Sequence, residues 1–227
     1  MRVVRSLLGA ALVSALVAEI LLNGALRPLR PVIDEFPPSP PAGSLAAQSL
    51  GDRQFLFRVS ALWLQDFGDG GGRLKPLRDF DYERVVGWLR AVDDLDRQSQ
   101  MVYVLGTQFF GALTDPASYQ GKVKLIADYF EQAGMADLAG RGPWLSWAAT
   151  TIARRVKDPA LAQRTAEDIL SRRRDKDMPD FLPLEVIPLL KVAGDRDAID
   201  RLSLDQDMIA RRRRAVDALE AGLLERR

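Results

Sequence analysis

The chain has 227 residues, 47% apolar and 28% charged, with a net charge of +1, no cysteine and no histidine. That length and balance fit one sizeable domain with an appendage and exclude wholesale disorder. The missing thiol and imidazole exclude disulfides, thiolate nucleophiles, Ser-His-Asp and Cys-His machinery and sulfur-ligated metal, and near-neutral charge gives no global pull toward nucleic acid.

The chain opens on a 20-residue apolar run from Leu7 to Leu26, flanked by Arg2 and Arg5 before and Arg27 and Arg30 after. A helix rising 1.5 Å per residue needs about 20 residues to span a hydrocarbon core of about 30 Å. The run therefore reads as an N-terminal transmembrane helix over 1–26, a single-pass anchor in contact with the bilayer through residues 7–26. A cleaved signal is the rival, with small residues at Val13-Ser14-Ala15 or Asn23-Gly24-Ala25, and a buried helix is the third reading. Glu19 sits in the last third of the run, where a carboxyl costs ~2–3 kcal/mol on insertion scales. It serves either as an intramembrane contact to a partner helix or as an interfacial residue. The flanking arginines balance, and the α-amino group favours N-inside, which puts the bulk of the chain in the periplasm if the cell is bacterial.

Residues 27–52 carry six of the 13 prolines, at 28, 31, 37, 38, 40 and 41. Phe36-Pro-Pro-Ser-Pro-Pro-Ala-Gly43 cannot form helix or sheet and reads as an extended linker, with a polyproline ligand for an aromatic groove as the other use. From Arg53 to Arg227 the pattern is helical. Phe55, Val59, Leu62 and Trp63 mark a first helix that ends at the glycine run 68–72. Asp81 caps a second, with Val85, Trp88, Leu89 and Val92 on one face and Arg84, Arg90, Asp93 and Asp94 off it. A third covers about 99–113, and a fourth about 117–132 with Val123, Ile126, Ala127 and Phe130 inward. Pro143 opens a fifth and Pro159 a sixth, since proline suits a first helical turn. Further helices fall near 181–193, 195–202 and 205–225. With no alternating stretch between turn signals, the fold class is all-α.

Helix pairs of this length resemble tetratricopeptide (TPR-like) repeats. Val102, Leu105, Gly106 and Phe109 fall on the spacing of that family's first-helix signature, and Ala162, Ala166 and Ile169 resemble its second-helix pattern. Val102 stands where the family has tryptophan, and Pro183 and Pro188 interrupt the seventh helix. The resemblance covers two or three units within 80–200 and implies an antiparallel helix-pair solenoid; an irregular helical bundle is the alternative arrangement. The run from Pro76 to Leu89 also resembles an uncharacterised group of membrane-anchored proteobacterial proteins with helical-repeat domains. That implies a bacterial envelope setting at the inner membrane and no activity.

No motif binds a cofactor or a metal. The glycines at 68–72 follow a helix and lack a following Gly-Lys-Ser/Thr, so with Arg73, Lys75 and Arg78 they read as a loop. Arg172, Arg173 and Arg174 close a helix, where cations are electrostatically favoured. Arg211, Arg212, Arg213 and Arg214 point around a whole helical turn, so they form no phosphate-tracking stripe; they suit contact with anionic lipid or an acidic partner. Trp144 and Trp147 share one face of the fifth helix, as a partner hot spot or as core. Ile209, Val216, Leu219 and Leu223 suit docking of the last helix or a short coil. Asp93, Asp94 and Asp96 cluster at a helix end and carry no assigned catalytic role. The expectation is a non-enzymatic, membrane-tethered, helical-repeat protein that binds unidentified protein partners as scaffold, assembly factor or accessory subunit. Two alternatives are an envelope hydrolase with two carboxylates across a groove, and an integral subunit of a larger membrane complex.

Overall fold

The structure, a computed structural model, describes residues 13–19, 21, 36–67, 75–203, 210, 213, 214 and 217. Aspartate sets the start of most helices. Its short carboxylate accepts the backbone N–H groups that a first turn leaves unpaired. Asp52 accepts from Phe55 N at 2.8 Å, Asp81 from Glu83 N at 3.0 Å, Asp115 from Ala117 N at 3.1 Å and Asp137 from Gly140 N at 3.0 Å. Asp158 and Asp195 do the same for Leu161 N and Ala198 N.

Ten helices follow in chain order: α1 Ser44–Gln48, α2 Arg53–Asp66, α3 Tyr82–Asp93, α4 Met101–Val104, α5 Pro116–Ser118, α6 Lys124–Ala136, α7 Leu138–Thr151, α8 Pro159–Ser171, α9 Val186–Ala193 and α10 Arg196–Ser203. Wider π turns extend α4 over Leu105–Phe109, join α5 to α6 over Tyr119–Val123 and extend α7 over Ile152–Val156. Among the described residues there is no strand, and the fold is all-helical.

A single residue, Asp137, separates α6 from α7, so the chain must fold straight back. Phe130 meets Trp147 at 5.2 Å between ring centroids, and Gly134 lies against Leu145. These pairs run in opposite order along the two helices, which makes α6 and α7 an antiparallel hairpin. Gly134 permits it: a Cβ there would stand 2.6 Å from Leu145 Cβ. Helix α8 packs chiefly on α9, and its inward residues Ala162, Ala166 and Ile169 are fully buried. Pro188 is tolerated in the first turn of α9, where its missing N–H costs no helical bond.

Two aromatic clusters organise the core. Phe36, Trp63, Phe67 and Phe80 pack at the α2–α3 end, with Phe36 stacked on Phe67 at 3.9 Å. Tyr103, Tyr129, Phe130 and Trp144 pack under the hairpin. The proline-rich stretch expected as a spacer thus contributes Phe36 to the core.

Two expectations are corrected and one is refined. The membrane span over 7–26 lies largely outside the described residues, and its described part is helical over 13–19. Among the described residues no helix is long and apolar enough to cross a membrane, which overturns the transmembrane helix, the single-pass membrane anchoring and the inner-membrane, periplasm-facing placement. Among the described residues the longest α-helical segments, leaving out the π turns, are α2 and α7 with 14 residues each, and α2 carries Arg53, Arg58 and Asp66. Second, a short helical turn capped by Asp137 precedes the fifth helix; the two join across a kink at Arg141, with φ −122° and ψ 19°, so that Pro143 stands in the first turn after the kink, as expected. Third, α2 buries Phe57, Ser60, Ala61 and Leu64, and of the four residues that marked it Trp63 packs on the core while Phe55, Val59 and Leu62 are exposed. Both sets follow i, i+4, i+7 spacing, so periodicity alone cannot choose between them.

Candidate functional site

The other face of α2 presents an aligned set of exposed apolar side chains. Phe55, Val59 and Leu62 are 66%, 45% and 56% exposed, and Leu50, just before the helix, is also exposed. At 1.5 Å per residue the stripe runs about 10 Å along the helix. Scattered surface leucines are ordinary, but aligned ones on a single face mark an interaction surface.

At the start of this stripe lies an open groove of about 620 Å³. One wall is Gly43, Ala46, Arg53 and Gln54, and the other is the turn Asp94–Arg97 after α3. Gln54 Nε2 donates to Asp96 Oδ2 at 2.9 Å, and the Arg53 guanidinium donates to the Asp94 carbonyl. Arg97 Nη2 reaches Asp94 Oδ1 at 2.7 Å. Both carboxylates therefore stand on one wall, facing an arginine and an amide. Glycoside hydrolysis by two carboxylates needs them opposed across the scissile bond, and the lining of this groove offers no such pair.

Behind the groove is a buried ion pair. Arg141 Nη1 and Nη2 grip Asp93 Oδ2 and Oδ1 at 2.8 and 2.9 Å, and Nη2 reaches the Arg97 carbonyl at 3.4 Å. Its guanidinium also lies 4.5 Å from the Trp144 ring. The kink before Pro143 gives Arg141 its aim, and the last turn of α3 supplies Asp93. Burial pushes the Asp93 carboxyl above its usual range although Arg141 opposes the shift. Burial likewise raises the Tyr129 hydroxyl, which lies beside Asp93 without a hydrogen bond of good geometry, and the Asp93 charge adds to it. Arg141 fills the role of a bidentate clamp tying α7 to α3.

A second polar cluster joins α6 to α8. Arg164 bridges Asp128 and Glu131, the latter at 3.3 Å. Glu131 is 3% exposed. Burial, with a hydrogen bond to Asp168, pushes its carboxyl up to about 7 against the pull of Arg164. Among the described residues no acidic group of three or more is placed to hold a metal ion.

The sequence-predicted site residues fall apart in space. Trp144 is 1% exposed, in contact with Tyr103, Tyr129 and Phe130, so it has no surface to offer a partner. Trp147 is half-buried against Phe130 and Gly111. Glu19 is exposed on the helical stretch 13–19. Arg213 and Arg214 are exposed and helical, while Arg211, Arg212 and the glycine run 68–72 lie outside the described residues. Sequence reasoning missed Arg141 and Glu131. The first had a signal in its position two residues before Pro143; the second lies at an ordinary helix position and had none.

No family model, curated protein or solved structure matches the chain.

Proposed function

We propose that this chain is a non-enzymatic protein-binding module, a scaffold, assembly factor or accessory subunit, whose partner docks on the outer face of α2. The exposed line Phe55–Val59–Leu62 carries this reading. The spacing suits a partner helix laid along α2 with its own apolar residues one turn apart. The α6–α7 hairpin and the close α8–α9 packing support a TPR-like, helical-hairpin architecture, which commonly holds partners on its surface. The paired charges of the groove supply a polar rim at one end of the stripe, as bound interfaces require.

The test is affinity purification of the full-length tagged chain from its native cell, beside a Phe55→Asp/Leu62→Asp variant. Neither side chain is buried, so the variant keeps its unfolding free energy within about 0.5 kcal/mol. The parent carries a stoichiometric partner and the variant loses it. A partner equally retained by the variant refutes the α2 surface, and a parent that purifies alone refutes the scaffold reading.

A further inference from the structure

Residues 36–41 read Phe-Pro-Pro-Ser-Pro-Pro. Prolines at 37, 38, 40 and 41 have no N–H, so this stretch offers mostly carbonyls and ring faces, with backbone N–H groups left only on Phe36 and Ser39. Its burial repeats every three residues. Phe36 and Pro37 turn inward and Pro38 is exposed; Ser39 and Pro40 turn inward and Pro41 is exposed. Three residues per turn is the period of the polyproline II helix.

Helix α3 meets the inward residues with features suited to such a ligand. Arg84 Nη1 donates to the Phe36 carbonyl at 2.7 Å, and Trp88 Nε1 donates to the Pro37 carbonyl at 3.0 Å. Gly87 lies between these two donors, and a Cβ there would stand 2.4 Å from Ser39 Oγ. The Phe36 ring fills a pocket of Phe67, Trp63 and Phe80, and Trp63 in turn packs on Trp88 at 4.7 Å. Side-chain donors aimed at carbonyls beside an aromatic shelf are the means by which proline-rich peptides are bound between chains. A random strap would need none of this alignment.

We propose that the α2–α3 face formed by Trp63, Arg84, Gly87 and Trp88 is a binding site for an extended proline-rich peptide led by an aromatic residue, filled in this chain by its own residues 36–41. The segment is an internal ligand, and a proline-rich stretch of a partner protein exchanges with it. The site uses the inner side of α2, so it stands or falls separately from the outer stripe.

A tethered ligand has an effective concentration in the millimolar range, and an external peptide must compete with it. The test is fluorescence anisotropy of a labelled peptide of sequence 36–43, titrated into the full chain and into Phe36→Ala, which empties the anchor pocket. The variant binds about tenfold tighter than the parent. Adding Trp88→Phe, which keeps a ring and removes the donor, weakens that binding by about tenfold. A Phe36→Ala chain that keeps its helical circular dichroism yet binds no peptide overturns the proposal, as does binding that Trp88→Phe or a scrambled peptide leaves unchanged. If Phe36→Ala loses its helical signal, a Pro37→Gly/Pro40→Gly chain replaces it. That variant loosens the strap by restoring backbone freedom, and the same outcomes decide.

Discussion

Replacing Glu131 by glutamine tests the polar joint between α6 and α8. Glutamine keeps the shape, can accept from Arg164 and can donate to Asp168, but it carries no charge. Burial holds the Glu131 carboxyl at about 7, from a reference of 4.5. A carboxyl raised in the folded state binds its proton more tightly there than when unfolded. Its contribution to stability is therefore fully present below pH 4.5 and is lost as pH rises through about 7. A shift of roughly 2.5 units at 1.36 kcal/mol each amounts to about 3 kcal/mol. The groups facing Glu131 are Asp128 on its own helix and Arg164 and Asp168 on α8, so the cluster is net negative once all four are ionised. Urea unfolding of both chains, followed by tryptophan fluorescence from pH 4 to 8, isolates the effect. The variant-minus-parent difference grows from near zero at pH 4 to about 3 kcal/mol at pH 8, in favour of the variant. A flat difference, or one that grows toward acid, refutes the reasoning.

Two more perturbations probe the joints of the core. Arg141→Met or Asp93→Leu alone leaves one buried charge without its partner and costs about 3–5 kcal/mol, whereas the double substitution recovers most of that loss; a double cost equal to the sum of the two single costs in a thermal-denaturation cycle would show the pair to be uncoupled. Gly134→Ala brings a methyl within 2.6 Å of Leu145 Cβ and 3.0 Å of its backbone nitrogen. The hairpin cannot yield there without moving backbone, so the unfolding midpoint in urea drops by the equivalent of about 1–3 kcal/mol, and an unchanged midpoint would mean that the helices can part freely.

What the sequence made legible followed strong local rules. Asp81 announced a helix start because a short carboxylate before an apolar period has few other uses, and Pro159 another because its ring suits a first helical turn. Val85, Leu89 and Val92, and Val123, Ile126 and Phe130, were inward because each helix carried a single apolar face. Helix α2 carries two, and only the aromatic cluster built by Phe36, Phe67 and Phe80 determines that Phe57 goes in and Phe55 stays out. Phe36 itself lay hidden inside a stretch whose prolines signal an exposed linker. Asp93 looked like one more solvated charge at a helix end, because its partner Arg141 is 48 residues away. The apolar run at the N-terminus carried a local signal of the right length for a bilayer, yet among the described residues no helix is long and apolar enough to cross one.

The placement of the polar groups separates binding from stability within one domain. Both proposed contact surfaces belong to α2 and α3, on opposite sides of α2, and each ends in groups that are already paired at the surface. The buried charges sit elsewhere: Arg141 on α7 reaches α3 from behind, and Glu131 and Arg164 join α6 to α8. Only Asp93 belongs to both halves, as the last residue of α3 and the first polar group behind the groove. Substitutions at Glu131 or Gly134 should therefore move the unfolding midpoint while leaving peptide or partner affinity intact. Those at Phe55, Leu62 or Trp88 should do the reverse. Asp93→Asn is the position where the two must move together, because loosening the clamp on Arg141 frees the turn Asp94–Arg97 that walls the groove. If stability falls there with no change in partner affinity, the groove wall is held by Gln54 and Arg53 alone, and the clamp serves the core only.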